Sequence, residues 1–224
     1  DDYKKIMRQS RIETTNRLVE ALAGEEKKTR LLLNASAVGY YGSRGDEELD
    51  ESSPPGTDFL ARLTQEWEEA AREAEQYGIR VVRCRFGIVL GAGGGAMDKM
   101  LPAFKAGMGS PLGSGRQWFS WIHRQDLIRI FSFLLDRPDI AGAVNCTAPR
   151  PVTNKEMSKA LGQALNRPVF LPNVPSFLLK LSLGELSSVL LGGQKVFPKE
   201  LEKAGFAFRY PEIGAAFADL VGRS

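Results

Sequence analysis

The strongest constraint on the fold is the alternation of helix-like and strand-like segments along the chain. Short apolar runs such as Leu31–Leu33 are typical of strands covered on both faces, as in parallel sheets. The segments between these runs repeat apolar residues at three- and four-residue steps, as amphipathic helices do. The predicted strands are 31–33, 79–90 and 143–146, and the predicted helices are 2–23, 58–77, 97–106, 127–135 and 153–165. This order predicts an α/β fold with a parallel sheet.

The composition is that of an ordinary globular protein. The 224 residues are 43% hydrophobic, enough for one large domain or for one domain with a small lobe. Thirty basic and 27 acidic residues leave a net charge of +3, and the two signs are interspersed. The charge therefore predicts neither a nucleic-acid partner nor a membrane-surface partner. The most hydrophobic stretch, 174–191, contains Pro175, Lys180 and Glu185, and it does not predict a membrane span.

The two cysteines predict neither a disulfide nor a metal site. Cys84 and Cys146 both lie in apolar, strand-like runs, which favours buried free thiols in a reducing compartment. The single histidine, His123, is distant from both in sequence, so the spacing expected of a zinc site is missing. We predict no metal ligands.

The segment Gly113–Asp126 is the best candidate for one wall of a small-molecule site. Its fourteen positions contain two glycines, two arginines, two tryptophans, a phenylalanine and the only histidine of the chain. Aromatic faces suit a flat or apolar group, while arginine and glutamine donate hydrogen bonds to oxygen-rich groups. We expect a loop that Asp126 anchors by beginning the next helix. The alternative is a surface loop whose tryptophans fill the core beneath it.

A glycine cluster at Gly91–Ala96 matches the dinucleotide-binding pattern G-x-G-x-x-G/A after a strand and before a helix. The acidic residue that should follow about twenty residues later is absent, because that region is Pro111–Gly115. The match is therefore weak. A rim loop, or a nest for a substrate anion, is favoured over a site for cofactor phosphates.

Several motifs in combination resemble the extended short-chain dehydrogenase/reductases. They are SRIETT at 10–15, SAVGYYG at 36–42, RFGIVLG at 85–91, the segment 113–126, PRPVTN at 149–154, GQKV at 193–196 and AGF at 204–206. Together they are most similar to the atypical epimerase branch of the YfcH, or cell-division-inhibitor-like, type. The resemblance implies a Rossmann-type doubly wound parallel sheet in residues 1–148, including a substrate-side loop at 91–125. A small α+β substrate lobe over 149–224 would follow.

The resemblance also carries expectations about location and completeness. Members of this branch occur in bacteria, mitochondria and plastids, so the expected location is bacterial cytoplasm, plastid stroma or mitochondrial matrix. A family member begins with a strand, a glycine-rich turn and a helix that bind the adenosine half of NAD(P), and this sequence has no such beginning. We expect a longer parent protein, because one edge of the central sheet would otherwise be unpaired.

The usual catalytic pair of the superfamily is absent. In the family at large, the tyrosine of Tyr-x-x-x-Lys exchanges a proton with the substrate, and the lysine lowers the pKa of that tyrosine. The corresponding helix here begins with Phe59 and has Leu63 in the lysine position, so neither group is present. Tyr40 or Tyr41 could substitute. An ordinary tyrosine pKa is near 10, so a cation is needed nearby, for which Arg11 or His123 is a candidate.

The resemblance and the local chemistry together give a set of candidate site residues. The catalytic candidates are Ser36, Tyr41 and His123; the cofactor-binding candidates are Arg11, Ser36, Arg85, Gly87 and Val89; the substrate-binding candidates are Arg116, Gln117, Trp118 and Trp121. Several have a purely structural alternative. Ser36 could cap a turn, Arg11 could lie at the surface, Gly87 could mark a strand bulge, and His123 could bond the backbone.

Two functions remain open from the sequence. The first is an NADP(H)-binding oxidoreductase or epimerase that acts on an unknown small molecule, with NADP inferred from the resemblance alone. The second is a non-catalytic, nucleotide-sensing scaffold in cell or organelle division, with a protein partner or a second copy bound. The missing tyrosine–lysine pair favours the scaffold, and the polar, aromatic segment favours the enzyme. Neither function predicts nucleic-acid binding or membrane insertion.

Overall fold

A computed structural model describes residues 2–23, 29–184 and 187–222. The strands are β1 (Leu31–Ala37), β2 (Glu48–Leu49), β3 (Arg80–Phe86), β4 (Ile88–Leu90), β5 (Trp118–Phe119), β6 (Trp121–His123), β7 (Gly142–Cys146), β8 (Val152–Thr153) and β9 (Lys195–Val196). The helices are α1 (Asp2–Arg8), α2 (Thr14–Ala23), α3 (Phe59–Arg72), α4 (Gly95–Lys105), α5 (Arg124–Leu135), α6 (Asn154–Ala164), α7 (Ser176–Leu183), α8 (Ser187–Leu191), α9 (Lys199–Lys203) and α10 (Ile213–Val221). A π-helical turn at Gln9–Glu13 joins α1 to α2.

The centre of the fold is a parallel sheet in the order β1-β3-β7, which confirms the predicted α/β class. β1 continues four residues beyond the predicted strand, and it therefore includes Ser36. In the described part of the chain, β1 pairs with a neighbour on one side only. Alternate residues of each strand face opposite sides of the sheet, so the two faces have different compositions.

One face of this sheet is entirely apolar. Cys84 of β3 and Val144 of β7 pack against Leu127 and Ile130 of α5. On the opposite face, Val81 packs against α2 and α3. Helices therefore cover both faces, as in doubly wound folds, and both cysteines are buried free thiols as predicted.

α3 follows the predicted helix closely because its two ends carry strong local signals. The Asp58 carboxylate accepts a hydrogen bond from the Ala61 amide, which caps the first turn. A 3₁₀ turn, Glu73–Tyr77, follows the helix. Gly78 then ends it in the left-handed conformation, at φ 75°.

The predicted strand 79–90 is wrong as a single element, because the chain breaks at Gly87 into β3 and β4. A side chain at Gly87 would place its Cβ 2.8 Å from the Ser120 carbonyl oxygen, so only glycine allows this close approach. β3 pairs with β7, whereas β4 pairs with β6. The glycine thus marks the position where the chain leaves one sheet for another.

The segment 113–126 is not the loop that its polarity predicted. It contains β5 and β6, and Trp121, Ile122 and His123 are buried because β6 pairs with β4 inside the core. α5 also begins earlier than predicted, since His123 rather than Asp126 is the capping residue. α4 likewise begins at Gly95, two residues before the predicted start.

Short strand pairs connect the C-terminal part to the rest of the molecule. β8 pairs with β5, and β9 pairs with β2. α6 begins with the predicted capping box, in which Thr153 and Glu156 satisfy each other's backbone amides. α6 and α10 pack together over a core cluster that includes Trp121. Within the described ranges, no helix is long and apolar enough to cross a membrane.

Candidate functional site

A row of three polar side chains crosses the sheet near the carboxyl ends of its strands. Ser36 of β1, Arg85 of β3 and Asn145 of β7 are register partners, so their side chains project from the same face. All three are buried. α3 covers this face and contributes the buried carboxylate of Glu68.

The Glu68 carboxylate is the centre of a hydrogen-bonded network. The Ser36 hydroxyl donates to Oε1 at 2.6 Å. Arg85 binds both carboxylate oxygens, with Nε at 2.7 Å from Oε1 and Nη2 at 2.8 Å from Oε2. A two-point contact of this kind orients the guanidinium as well as neutralising it. Each charge of this buried pair is therefore compensated by the other.

The network continues from Arg85 to the far strand with a fixed hydrogen-bond direction. Arg85 Nη1 donates to the Tyr41 hydroxyl at 2.9 Å, and that hydroxyl donates to Asn145 Oδ1 at 2.7 Å. Asn145 Nδ2 then donates to the Phe197 carbonyl oxygen at 3.0 Å. Arginine can only donate and a carbonyl can only accept, so every proton in between is assigned. The Tyr41 proton is therefore engaged inside the protein.

The cation beside Tyr41 is not one of the two that the sequence suggested. The neighbouring cation is Arg85, rather than Arg11 or His123. Burial outweighs the contacts with Arg85 and raises the pKa of Tyr41 to about 12. Burial disfavours the charged Arg85 side chain, but its contacts with Glu68 and Tyr41 raise the pKa of Arg85 overall.

Tyr40 lies on the other side of the same guanidinium. The Arg85 Cζ atom is 3.4 Å from the centroid of the Tyr40 ring, close enough for a cation–π contact. The Tyr40 and Tyr41 rings meet edge to face, with centroids 5.3 Å apart. The two adjacent tyrosines of the motif thus hold one arginine, Tyr41 through its hydroxyl and Tyr40 through its ring.

The remaining cofactor candidates lie on separate elements. Arg11 lies in the π-helical turn, where its guanidinium donates to the Met7 carbonyl oxygen and lies 5.5 Å from the Trp67 ring. Val89 lies in β4 and is half-buried. Gly87 directly precedes β4, beside Thr147. A Cβ at Gly87 would lie 3.1 Å from the Thr147 methyl carbon.

His123 belongs to a different cluster from the Glu68 network. Its Nδ1 accepts a hydrogen bond from the Gln125 amide, which caps α5 and leaves the proton on Nε2. Nε2 lies 3.4 Å from an oxygen of Asp219 in α10. The imidazole also stacks on the Tyr210 ring, with centroids 4.0 Å apart. This His123 cluster joins β6 and α5 to the C-terminal helix.

The four substrate candidates occupy different environments. Trp121 is in the core, and its indole nitrogen donates to the Arg150 carbonyl oxygen. Gln117 donates to the carbonyl oxygens of Leu112 and Leu190, so its amide holds the loop against α8. Trp118 is half-buried and donates to Asp46 at 2.7 Å.

Arg116 differs from the other three substrate candidates, because its side chain is exposed. The loop that carries it is held in place by its neighbours rather than by Arg116 itself. The Lys155 amide at the start of α6 donates to the Gly115 carbonyl oxygen at 2.9 Å. Arg116 is therefore the candidate most accessible to a molecule in solution.

Sequence reasoning missed two acidic residues of this edge, Glu68 and Glu51. Glu68 follows Thr64 by four residues and precedes Ala71 by three, which places it in the buried stripe of α3. This spacing could have identified Glu68 as a buried carboxylate. Glu51 accepts a hydrogen bond from the Asn145 amide at 2.9 Å, and burial raises the pKa of its carboxyl group. No periodicity marks Glu51, because it lies in a turn.

Comparison with known proteins identifies the family. Residues 2–146 match the NAD dependent epimerase/dehydratase family, and residues 174–220 match a domain of unknown function, DUF1731. The chain belongs to the NAD dependent epimerase/dehydratase family.

Named relatives and a solved structure agree with this family assignment. The chain is 46% identical to the epimerase family protein Mb2239 of Mycobacterium bovis over 96% of its own length and 70% of the relative's. It is 44% identical to the chloroplastic SDR39U1 homolog of Arabidopsis thaliana, covering 95% of this chain and 61% of that protein. A crystal structure of human SDR39U1 with NADPH superimposes with a TM-score of 0.93 at 36% identity, covering all of this chain and 76% of the human one.

Proposed function

We propose that the protein binds NADPH at the carboxyl edge of the β1-β3-β7 sheet and takes part in hydride transfer at a carbinol carbon. The observation that carries this proposal is the buried row of Ser36, Arg85 and Asn145. Open α/β sheets bind their ligands outside the carboxyl ends of the strands. The NADPH in the similar human structure supports the choice of the phosphorylated cofactor. When bound, the cofactor donates or accepts the hydride, which gives oxidoreduction or, through a transient ketone, epimerisation.

The proposed cofactor contacts come from the ends of β1 and β3, from β4 and the glycine before it, and from the π-helical turn. They are Arg11, Ser36, Arg85, Gly87 and Val89. A buried polar atom at this edge supports the fit. The Thr147 hydroxyl, directly after β7 and beside Gly87, has no hydrogen-bond partner among the described residues. Buried hydroxyls normally have one, and a cofactor's polar groups could supply it.

Of the catalytic candidates, Ser36 has the most suitable chemistry for contacting substrate. Its proton is directed to Glu68, which as a carboxylate only accepts. The lone pairs of the Ser36 hydroxyl therefore remain to accept a hydrogen bond, such as one donated by a substrate hydroxyl. We assign Tyr41 to positioning Arg85, because its own proton is held by Asn145. We assign His123 to joining α5 with α10.

We propose that the substrate contacts the loop carrying Arg116 and the edge of Trp118. Gln117 and Trp121 are committed to contacts within the protein, so we assign them to holding this loop in place. An exposed arginine beside a half-buried indole suits a ligand with an anionic or oxygen-rich group and a flat or apolar group.

Fluorescence titration with NADPH, run beside NADH, tests the cofactor proposal. We expect saturable, micromolar binding of NADPH, and weakening by Arg11→Ala. Arg17→Ala is the matched control, because it removes an exposed arginine from the same helical stretch. The proposal fails if the folded protein binds neither cofactor, or if both arginine variants weaken binding equally.

A non-catalytic, nucleotide-sensing scaffold in cell or organelle division is the second candidate function. It is favoured by Phe59 and Leu63 in the positions of the usual tyrosine and lysine, and by the engaged proton of Tyr41. Substitution of Arg116 and Trp118 distinguishes the two functions. Loss of cofactor turnover with a metabolite extract, while binding of a protein partner or a second copy survives, supports the enzyme. The reverse pattern supports the scaffold.

The proposal also covers the branch of the family and the cellular location of the protein. We assign the chain to the YfcH-type branch, with bacterial cytoplasm, plastid stroma or mitochondrial matrix as its location. Bacterial relatives and a relative named as chloroplastic support this range. Localisation of the tagged protein in its own cells tests the assignment, and a secreted protein would contradict it.

A further inference from the structure

One exposed stretch of the C-terminal part, residues 170–181, carries large apolar side chains and no acidic residue. These side chains are Phe170, Leu171, Phe177, Leu178 and Leu181, called here the 170–181 face. Phe170 is 74% exposed, Phe177 66% and Leu181 84%, values that are unusual for side chains of this size. Grouped exposure of this kind marks an interaction site more often than single exposed leucines do.

The geometry of α7 explains why these side chains point outward. Successive residues of an α-helix are rotated by about 100°, so the direction opposite to Leu179 falls between Phe177 and Leu181. Leu179 is only 9% exposed and faces the protein. Leu178 and Lys180 lie on the two flanks. α7 therefore presents apolar side chains to solvent on the side where a surface helix normally carries polar ones.

The backbone leading into α7 is held firmly, so the face is a fixed feature rather than a loose tail. The Gly113 amide donates to the Val174 carbonyl oxygen at 2.8 Å, and the Val174 amide donates to the Pro111 carbonyl oxygen at 2.9 Å. The Ser110 hydroxyl donates to the Pro172 carbonyl oxygen at 2.6 Å. These bonds fix the segment before α7 against residues 110–113.

In the sequence stretch between Glu156 and Glu185, which contains the 170–181 face, the charges are all of one sign. From Met157 to Gly184 the sequence contains three basic residues, Lys159, Arg167 and Lys180, and no aspartate or glutamate. All three basic side chains are exposed, and Arg167 is three residues from Phe170. These basic residues favour an occupant that offers negative charge beside an apolar surface.

We propose that the 170–181 face adsorbs reversibly to the surface of an anionic lipid bilayer. Phenylalanine and leucine side chains would enter the boundary between headgroups and acyl chains, while the lysine and arginine side chains would extend to the phosphates. A second copy of the chain fits less well, because pairing two such faces brings like charges together without a counter-charge. The proposal is independent of the reaction at the sheet edge.

Vesicle co-sedimentation of the purified protein tests this proposal. We expect the protein to pellet with phosphatidylcholine vesicles that contain phosphatidylglycerol, and much less with phosphatidylcholine alone. Added salt should weaken the binding, because it screens the basic residues. Leu181→Ser and Lys180→Glu should each lower the partition constant about 10-fold or more. Both side chains are exposed, so the fold should survive, which circular dichroism checks.

Two matched variants control for general hydrophobicity and charge. Ile128→Ser removes an exposed apolar side chain of α5, which is 58% exposed, and Lys203→Glu makes the same charge change in α9. Neither should affect vesicle binding. The proposal is overturned if the protein does not pellet with anionic vesicles, or if the control variants reduce binding equally. It is also overturned if light scattering shows a dimer that Leu181→Ser dissociates, without vesicle binding.

Discussion

The two faces of the β1-β3-β7 sheet are built from the same strands, but one buries apolar side chains and the other buries charged and polar ones. On the α5 face, neighbouring residues are apolar, and Cys84 packs beside Val144 without any strong hydrogen bond. On the α3 face, Arg85 and Asn145 occupy the next register positions and are bonded at every step. A shift of one residue along β3 thus separates an apolar core from an ionic one.

The two faces differ in how they respond when only one of two contacting side chains is substituted. An apolar face loses packing in proportion to the atoms removed. In the ionic face, removing one partner leaves the other charged and buried, which costs more than the pair itself contributes. The Glu68 network therefore requires particular partners at the sheet edge. The α5 face mainly requires side chains of the right total volume.

The largest effect should follow from breaking the buried ion pair. Arg85→Met removes the two-point partner of Glu68 and leaves only the longer contact with Arg83, at 3.5 Å, so we expect a loss of up to about 3–5 kcal/mol in the free energy of unfolding. The double variant Glu68→Leu/Arg85→Met should lose less than Arg85→Met alone. Urea denaturation measures both. Arg72→Met, which breaks an exposed ion pair of α3, is the control and should change stability far less than Arg85→Met does.

A double variant as unstable as Arg85→Met alone would contradict this account. The loss would then come from packing volume rather than from an unpaired charge, and the two faces would not differ in kind.

Alkaline unfolding should give the next largest effect. Burial raises the folded-state pKa of Tyr41 from its ordinary value of 10.0 to about 12, so the folded protein keeps a proton that the unfolded chain releases. The stabilisation is complete below pH 10 and is lost as the pH rises through 12, amounting to at most about 3 kcal/mol. Urea midpoints across this range should fall more steeply for the wild type than for Tyr41→Phe. Tyr77→Phe, at an exposed position, should keep the wild-type slope.

Placing a polar group on the apolar face should have a smaller effect. Cys84→Ser puts a hydroxyl among Ile130, Val144 and other apolar groups, and we expect a loss of about 1–3 kcal/mol. Cys84→Ala, measured in the same urea assay, separates lost volume from the unpaired hydroxyl. If Cys84→Ser is as stable as the wild type, the α5 face accepts a buried hydroxyl, which contradicts this expectation.

The elements that local chemistry determines could be predicted from the sequence. α3 has an aspartate cap and a terminal glycine, and α6 has its capping box, so both agree with the prediction. β6 was missed because Trp121 and His123 become a strand only through pairing with β4, a contact between distant segments. The local charge of the stretch 157–184 was also overlooked. This stretch has no acidic residue, but the net charge of the whole chain does not reveal it.

The sequence could supply a list of candidate site residues but not the contacts between them. Ser36, Tyr41 and Arg85 were all identified, yet their grouping around Glu68 depends on the register of β1 with β3 and on the rotation of α3. Neither is encoded by a short motif. The partner of Tyr41 was therefore assigned to the wrong cation, although an arginine from the adjacent strand was present in the same list.

The pairing of β2 with β9 has a consequence for how the molecule folds. The ion pair between Glu48 and Lys195 joins residues separated by 147 positions, so the chain must close a very long loop to form it. Closing such loops is slow relative to forming local helices. On a ribosome, β2 emerges long before β9 exists, and β2 must wait unpaired until β9 has been synthesised. Truncations that remove β9 should therefore disrupt the distant segment that contains β2.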